Sequence, residues 1–338
     1  MKQILFLLFI PIAFQSCKSS TIDEVNEDIN NSEEEISLDI FPETVDVDSV
    51  ERTDFVLTLE SDFDLENNAI YSATMPFAWN EIKSIINAPL EKFTNSELEI
   101  LNQTESYVDV LNSEEYDVNA EVSEKEIRTR AFFRISLPFK DPFTKSDYGM
   151  SFNETQVESF GCIGYHRYCR INYYNNENDF SISLDPKDKA HEIILIMNSE
   201  MTTSLNTFEE IFDYYVDNKV GGIGFEDDDR VDIPIVEFNL EKNFQRIIGT
   251  SFISTDTMYN VTEFYQSNAF LLNEKGAEVE SEAIIEIEEV VEELGEKPKP
   301  KAMIFNRPFF IFLKRRKADY PYFGVYIAND ELLKKVDD

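Results

Sequence analysis

The sequence is poor in the residues that most often carry catalysis or bind metals. It has two histidines, three cysteines and one tryptophan among 338 residues. His166 and His191 do not have metal-ligand spacing, and Gly-x-Ser-x-Gly turns and phosphate-binding glycine loops are absent. The sequence therefore does not indicate an enzyme, and it predicts no metal and no other cofactor.

Positive charge and long apolar runs are also scarce. Lysine and arginine number 30 against 67 acidic residues, which gives a net charge of −37. Such a chain repels nucleic acid and anionic lipid headgroups, so we expect neither as a partner. Beyond the first residues, no segment is long and apolar enough to cross a bilayer.

The amino terminus has the pattern of an export signal. Lys2 precedes an apolar run over 4–14, and the small residue Ser16 stands directly before Cys17. This order is typical of a secretory signal peptide. Cys17 also resembles the cysteine of the bacterial lipobox, although Phe14 stands where leucine is usual. We expect 1–16 to be a lipoprotein signal and Cys17 to carry lipid, which would be the only membrane attachment. A plain secretory signal with an incidental cysteine is the alternative.

Residues 17–50 are acidic, rich in serine and asparagine, and poor in aromatic residues. Such a composition cannot bury enough apolar surface to fold, so we expect a disordered tether. About 30 flexible residues span on the order of 30 Å. Residues 51–338 would form the folded domain, a monomer lipid-anchored to the cell envelope. The sequence leaves the face of the envelope open, and the outer-membrane surface is one of the alternatives.

The folded part reads as an α+β domain with a mostly antiparallel sheet and helices mainly towards its amino terminus. Apolar spacing predicts helices over 77–86, 95–113 and 205–215. Runs of β-branched and aromatic residues predict strands over 132–135, 180–184, 193–196, 231–240, 303–313 and 322–327.

The stretch from Gly276 to Val291 alternates in a distinctive way. Over 277–288, the small and apolar residues are odd-numbered and the glutamates are even-numbered, with Ile284 as the exception. A strand period of two places these sets on opposite faces. The following Lys297-Pro298-Lys299-Pro300 reads as an exposed loop. An ordinary strand followed by a linker is the simplest interpretation.

The carboxy-terminal third resembles the serpin family. The run from Met303 to Leu313 fits the serpin signature, centred on Phe305, Asn306, Arg307, Pro308 and Phe309. Upstream, 273–278 is similar to the hinge at which a serpin's reactive loop begins. The ten hinge residues are Glu274, Lys275, Gly276, Ala277, Glu278, Val279, Glu280, Ser281, Glu282 and Ala283.

This resemblance implies a large central sheet, additional sheets and an exposed reactive loop over about 274–300. It also implies a function, the inhibition of extracellular serine or cysteine proteases. A protease would cut the loop and become acylated to it, and the cut loop would enter the main sheet as a new strand.

The sequence departs from the family in ways that leave an alternative open. The region between Ile86 and Ala131 is much shorter than the family's helices there, and the gating Ser-Pro-x-Ser is replaced by Ser72-Ala73-Thr74-Met75. Val279 is a bulky residue where the hinge should be small. A non-inhibitory surface lipoprotein with a serpin fold, acting as a binding or structural module, is therefore the alternative function.

Two further site predictions concern the scissile bond and the remaining cysteines. Counting from the hinge places the scissile bond at Val290-Val291, which suits an elastase-like target, whereas counting back from the signature places it near Lys297. We favour the first, because insertion is measured from the hinge. Cys162 and Cys169 could form a disulfide or remain two buried thiols, and the sequence leaves both open.

Overall fold

A computed structural model describes residues 40–123, 126–198, 205–277 and 300–336. The predicted signal peptide, Cys17, the hinge beyond Ala277 and Val290-Val291 lie outside the described residues. Among the described residues, no helix is long and apolar enough to cross a membrane.

The described residues form many short strands and few helices. The helices are α1 (Thr74–Ile86), α2 (Ser96–Gln103) and α3 (Phe208–Asn218), with 3₁₀ turns at Val47–Ser49 and Asp330–Leu332. The strands up to the middle of the chain are β1 (Val45–Asp46), β2 (Thr53–Val56), β3 (Asn68–Ser72), β4 (Leu90–Glu91), β5 (Asp117–Val122), β6 (Ile127–Phe132), β7 (Leu137–Pro138), β8 (Thr144–Lys145), β9 (Met150–Phe152), β10 (Thr155–Val157), β11 (Ser159–Ile163), β12 (Cys169–Asn176), β13 (Asp179–Leu184) and β14 (His191–Asn198). The remaining strands are β15 (Arg230–Pro234), β16 (Val236–Asn243), β17 (Ser251–Ser254), β18 (Thr257–Asn260), β19 (Tyr265–Leu272), β20 (Gly276–Ala277), β21 (Ala302–Ile304), β22 (Phe309–Arg315) and β23 (Phe323–Ile327).

The largest sheet supplies the core. Its seven strands have the order β12-β13-β14-β22-β23-β3-β2, antiparallel except for the parallel pair β2 and β3. All eight residues of β14 are buried, which explains why this strand reads as a nearly continuous apolar run. Helix α3 packs on this sheet through Phe208 and Phe212, whose rings lie 5.8 and 5.5 Å from that of Phe312.

Two smaller sheets and a hairpin accompany the large sheet. One sheet has the order β21-β15-β11-β8, the other has the order β1-β16-β19, and β5 pairs with β6 as a separate hairpin. Strand β20 pairs with β7. The predicted α+β class with mostly antiparallel sheets is therefore confirmed.

Several sequence-based boundaries need correction. The strand predicted over 132–135 is the end of β6, which stops at Phe132, and the helix predicted over 205–215 is α3, Phe208–Asn218. The runs 231–240 and 303–313 are each divided into two strands.

The helix predicted over 95–113 ends at Gln103, because the chain turns at Thr104, whose buried hydroxyl contacts the Glu60 carboxylate at 2.8 Å. Its predicted start is right, since the Asn95 side chain caps α2. The folded unit also begins earlier than residue 51, because β1 pairs with β16 and Val47 is buried in the core.

Candidate functional site: a strand slot beside the loop hinge

The hinge is held in a tight backbone contact. Gly276 has φ +113°, and it pairs with Pro138 in an antiparallel ladder that continues to Ala277 and Leu137. A Cβ at Gly276 would lie 2.5 Å from the Leu137 carbonyl oxygen and 2.6 Å from the Phe139 nitrogen. Both the dihedral angle and the close approach therefore require glycine at this position.

The chain over 127–138, which includes β6 and β7, contacts the chain around β19 near both of its ends and is called the flanking segment here. At one end, Arg128 forms an ion pair with Glu263 at 3.0 Å, just before β19 begins. At the other end, the β7–β20 pairing and the Asn273–Gly276 bridge join the flanking segment to the end of β19. Between these points, within the described chain, no ladder hydrogen bond connects the flanking segment to β19.

On both sides of this gap, successive side chains alternate between more buried and more exposed positions. In the flanking segment, odd-numbered residues through Ile135 are half-buried, and even-numbered residues are exposed. Thr129 faces inward, because its hydroxyl donates to the Ala78 carbonyl of α1 at 3.0 Å. In β19, Gln266, Asn268 and Phe270 are buried. The slot is defined here as the region between the flanking segment and β19, both of which alternate between more buried and more exposed residues.

A polar cluster lies beneath the slot. The Gln266 side-chain amide donates to the Thr74 hydroxyl at 3.1 Å and reaches the Ser72 carbonyl at 3.5 Å. The hydroxyls of Ser72 and Thr74 are 3.2 Å apart. The altered gate sequence thus still supplies a polar cluster, with Thr74 as the central hydroxyl. Two buried atoms here, Gln266 Oε1 and Asn268 Nδ2, have no hydrogen-bond partner among the described residues.

The chain that follows the loop is anchored by Asp229. One of its carboxylate oxygens accepts from the Lys301 amide at 2.6 Å, and the other accepts from the Lys301 ammonium at 2.7 Å. The Glu226 amide also donates to Asp229, at 2.8 Å. Burial acts to raise the pKa of Asp229, but these hydrogen bonds outweigh it, so the net pKa is lowered. The sequence did not single out Asp229, because it is the last of three consecutive aspartates and no pattern distinguishes it from Asp227 and Asp228.

The signature residues have a structural role. Phe305 is fully buried, and its ring lies 5.0 Å from Phe180 and 5.2 Å from Phe309. The Arg307 guanidinium bonds to the Asn178 side chain and, at 3.3 Å, to that of Asn306. Pro308 follows Arg307 directly before β22 begins. These residues fix the crossing from β21 in one sheet to β22 in the large sheet.

Cys162 and Cys169 are free thiols on β11 and β12. Burial raises the pKa of Cys162 to about 11 and that of Cys169 well above its usual value, so neither is a reactive thiolate. Their pairing in an oxidising compartment stays a prediction. The described part of the chain contains no cluster of three or more metal-ligating side chains.

The comparisons with known proteins find similarity only at the level of solved structures. No family model and no curated protein matches the sequence. A thyroxine-binding globulin complex with thyroxine matches at 11% identity and a TM-score of 0.42, covering 76% of this chain and 65% of that chain. Serpin48 of the insect Tenebrio molitor matches at 13% and 0.38, covering 70% and 63%. The mouse protein-Z dependent protease inhibitor matches at 12% and 0.40, covering 61% and 56%.

The chain thus spans less than two thirds of the length of these structures. The matched structures are serpins, the family that the signature and hinge resemble. Among the described residues, the chain has an α+β fold with three helices.

Proposed function

We propose that this chain inhibits an extracellular serine or cysteine protease through a cleavable loop within 278–299. The protease nucleophile attacks the scissile carbonyl, the peptide bond breaks, and the new amino terminus leaves with a proton while the acyl-enzyme remains. The loop then enters the slot as a strand. The observation that carries the proposal is the Gly276–Pro138 pairing, because it begins an antiparallel ladder at the mouth of the slot.

The register of that ladder predicts where inserted residues would lie. Each step of two residues along the loop moves two residues back along the flanking segment. Ser281 would lie opposite Phe133, and Ala283 opposite Ala131. Because odd-numbered residues of the flanking segment face inward, the odd-numbered loop residues would also face inward and the glutamates would remain in water.

The other edge of the slot, β19, also places the odd-numbered loop residues on the inward face. Extending the Asn273–Gly276 bridge along β19 places Val279 opposite Phe270 and Ser281 opposite Asn268. Phe270 is apolar and buried, so it can accommodate Val279. The Ser281 hydroxyl would offer an acceptor to the unpartnered Asn268 Nδ2, and relieving such a group stabilises by about 1–3 kcal/mol.

The length of the slot supports the scissile bond counted from the hinge. The flanking segment begins at Ile127, which lies opposite loop residue 287 in this register. A cut between Val290 and Val291 would leave the whole insertable strand attached to the hinge. A cut near Lys297 would add length that the slot cannot take up, and Lys297 also precedes Pro298.

The test is incubation of the full chain with an elastase-type serine protease, followed by denaturing electrophoresis and mass spectrometry. We expect a complex that survives SDS and a released carboxy-terminal peptide beginning at Val291. A protease whose nucleophilic serine is changed to alanine should form no such complex. A Val290→Arg variant should shift the preference towards trypsin-like enzymes. Cleavage without a complex across a broad panel of serine and cysteine proteases would contradict inhibition.

The alternative function is a non-inhibitory binding or structural module on the cell surface. The small number of helices around the slot favours this alternative, since it leaves less structure to hold a trapped protease. In that case, loop cleavage would neither capture protease nor stabilise the chain.

We also propose that lipid on Cys17 anchors the protein to the cell envelope. A Cys17→Ala variant should then lose incorporation of labelled palmitate and be released from the membrane fraction. Unchanged membrane association of that variant would contradict the anchor.

A further inference from the structure

A positively charged cleft of about 440 Å³ lies at the end of the large sheet, next to β7 at the hinge end of the slot. Four separate stretches of chain bring cations to it, although acidic residues outnumber basic ones by 67 to 30 in this protein. The charged residues that line the cleft are Lys140, Arg167, Asp185, Lys187, Lys189 and Arg316. Such a concentration of positive charge is unexpected in a chain of net charge −37.

The carboxylates at the cleft are already neutralised by arginines. Arg316 contacts Asp185 at 2.7 Å and Glu192 at 3.0 Å. Arg170 contacts the same two carboxylates at 2.9 and 3.3 Å. Two guanidinium groups thus balance two carboxylates in one network. Asp185 is therefore not available to neutralise the lysines around the cleft.

The other four cations have no acidic partner in the part of the chain that the structure describes. Lys140, Arg167, Lys187 and Lys189 are exposed, and none forms an ion pair with a described residue. Their mutual repulsion raises the local positive potential, and a bound anion would relieve it. The cleft is therefore electrostatically suited to an anion that carries several charges.

The turn that carries the two cleft lysines is fixed rather than loosely attached. The Lys187 amide donates to the Pro138 carbonyl at 2.8 Å, and Arg316 Nε donates to the Lys189 carbonyl at 3.1 Å. The Arg167 guanidinium lies 5.8 Å from the centre of the Tyr168 ring, which also lines the cleft. The donors are thus presented from anchored backbone around a space of the size that small ligands occupy.

We propose that this cleft binds a small organic anion with two or more phosphate groups. Ammonium groups and a guanidinium fork are the donors that bind phosphate best. A small ligand is favoured over a polymeric polyanion, because the strongly acidic remainder of the chain would repel a polymer that extends beyond the cleft.

The test is isothermal titration calorimetry of the full chain with inorganic tripolyphosphate as the probe. The Lys187→Gln/Lys189→Gln variant should bind at least about tenfold more weakly, since it loses two charge-assisted contacts. A second variant, Lys140→Gln/Arg167→Gln, should show a similar loss. Lys92→Gln/Arg130→Gln is the matched control, because it removes two exposed charges that do not line the cleft and should change affinity less than about twofold.

Three results would overturn the proposal. One is the absence of binding at about millimolar probe. Another is an equal loss in the control variant, which would reduce the effect to net charge. The third is binding of citrate as tight as that of tripolyphosphate, which would assign the cleft to carboxylates instead of phosphates. The readout is independent of protease inhibition, so failure of either proposal leaves the other intact.

Discussion

Gly276 is the residue at which the hinge is most sensitive to substitution. A Gly276→Ala variant places a methyl group within 2.5–2.7 Å of three backbone atoms of the flanking segment and its neighbour. We expect a loss of about 1–3 kcal/mol in the free energy of unfolding, from overpacking and backbone strain together. Urea unfolding followed by tryptophan fluorescence would measure it, since Trp79 is the only tryptophan.

Gly249 provides a matched control for that variant. It also has a positive φ, +85°, but a Cβ there would meet no atom within 4 Å. Gly249→Ala should therefore cost only the strain of the left-handed backbone, about 1 kcal/mol. Equal losses in the two variants would show that the contact with the flanking segment does not constrain the hinge.

Asp229 makes the anchor after the loop dependent on pH. Because its pKa is lowered in the folded state, its contribution to stability is present above the unfolded value near 4 and is lost as pH falls through the folded value. An Asp229→Asn variant should be less stable than the wild type at pH 7, and the difference should shrink below about pH 4. Urea midpoints measured between pH 7 and pH 3 would check this. A difference that stays constant over that range would contradict the role of the charge.

Among the elements, the sequence predicted those whose pattern is set locally or by complete burial. Strand β13 begins one residue before the predicted run and ends with it at Leu184, and the continuous apolar run of β14 was recognised because both of its faces are buried. The sequence did not predict the β5–β6 hairpin, since its residues are mostly exposed and lack a strong apolar alternation. Nor did it predict the slot, because the slot depends on which distant strands remain unpaired.

The insertion register predicts that odd-numbered loop residues face the inside of the slot and even-numbered ones face solvent. Ala283→Arg would place a charged side chain on the inward face of the slot, whereas Glu282→Arg would place the same residue on the solvent face. We expect Ala283→Arg to abolish the gain in thermal stability that follows loop cleavage and Glu282→Arg to retain it, because an unpaired buried charge is strongly unfavourable. Differential scanning calorimetry of both cleaved variants would compare them. Retention of the gain by Ala283→Arg would refute this register.

At the scale of the whole molecule, one large sheet forms the core, while the sheet that contains β19 is small and leaves an edge unpaired among the described residues. An unpaired edge over a partly buried inward face can accept another strand. The intact chain would therefore not be in its most stable arrangement. The cleaved chain could reach that arrangement by adding its own loop as a strand.

The temperature of thermal unfolding before and after loop cleavage tests this account most directly. The protein should be cut once within the loop and compared with the intact chain at the same pH and salt concentration. The account predicts a marked rise in the unfolding temperature, because the inserted strand would pair with both edges of the slot and bury the apolar residues of the loop. An unchanged or lower unfolding temperature after a single cut would contradict loop insertion.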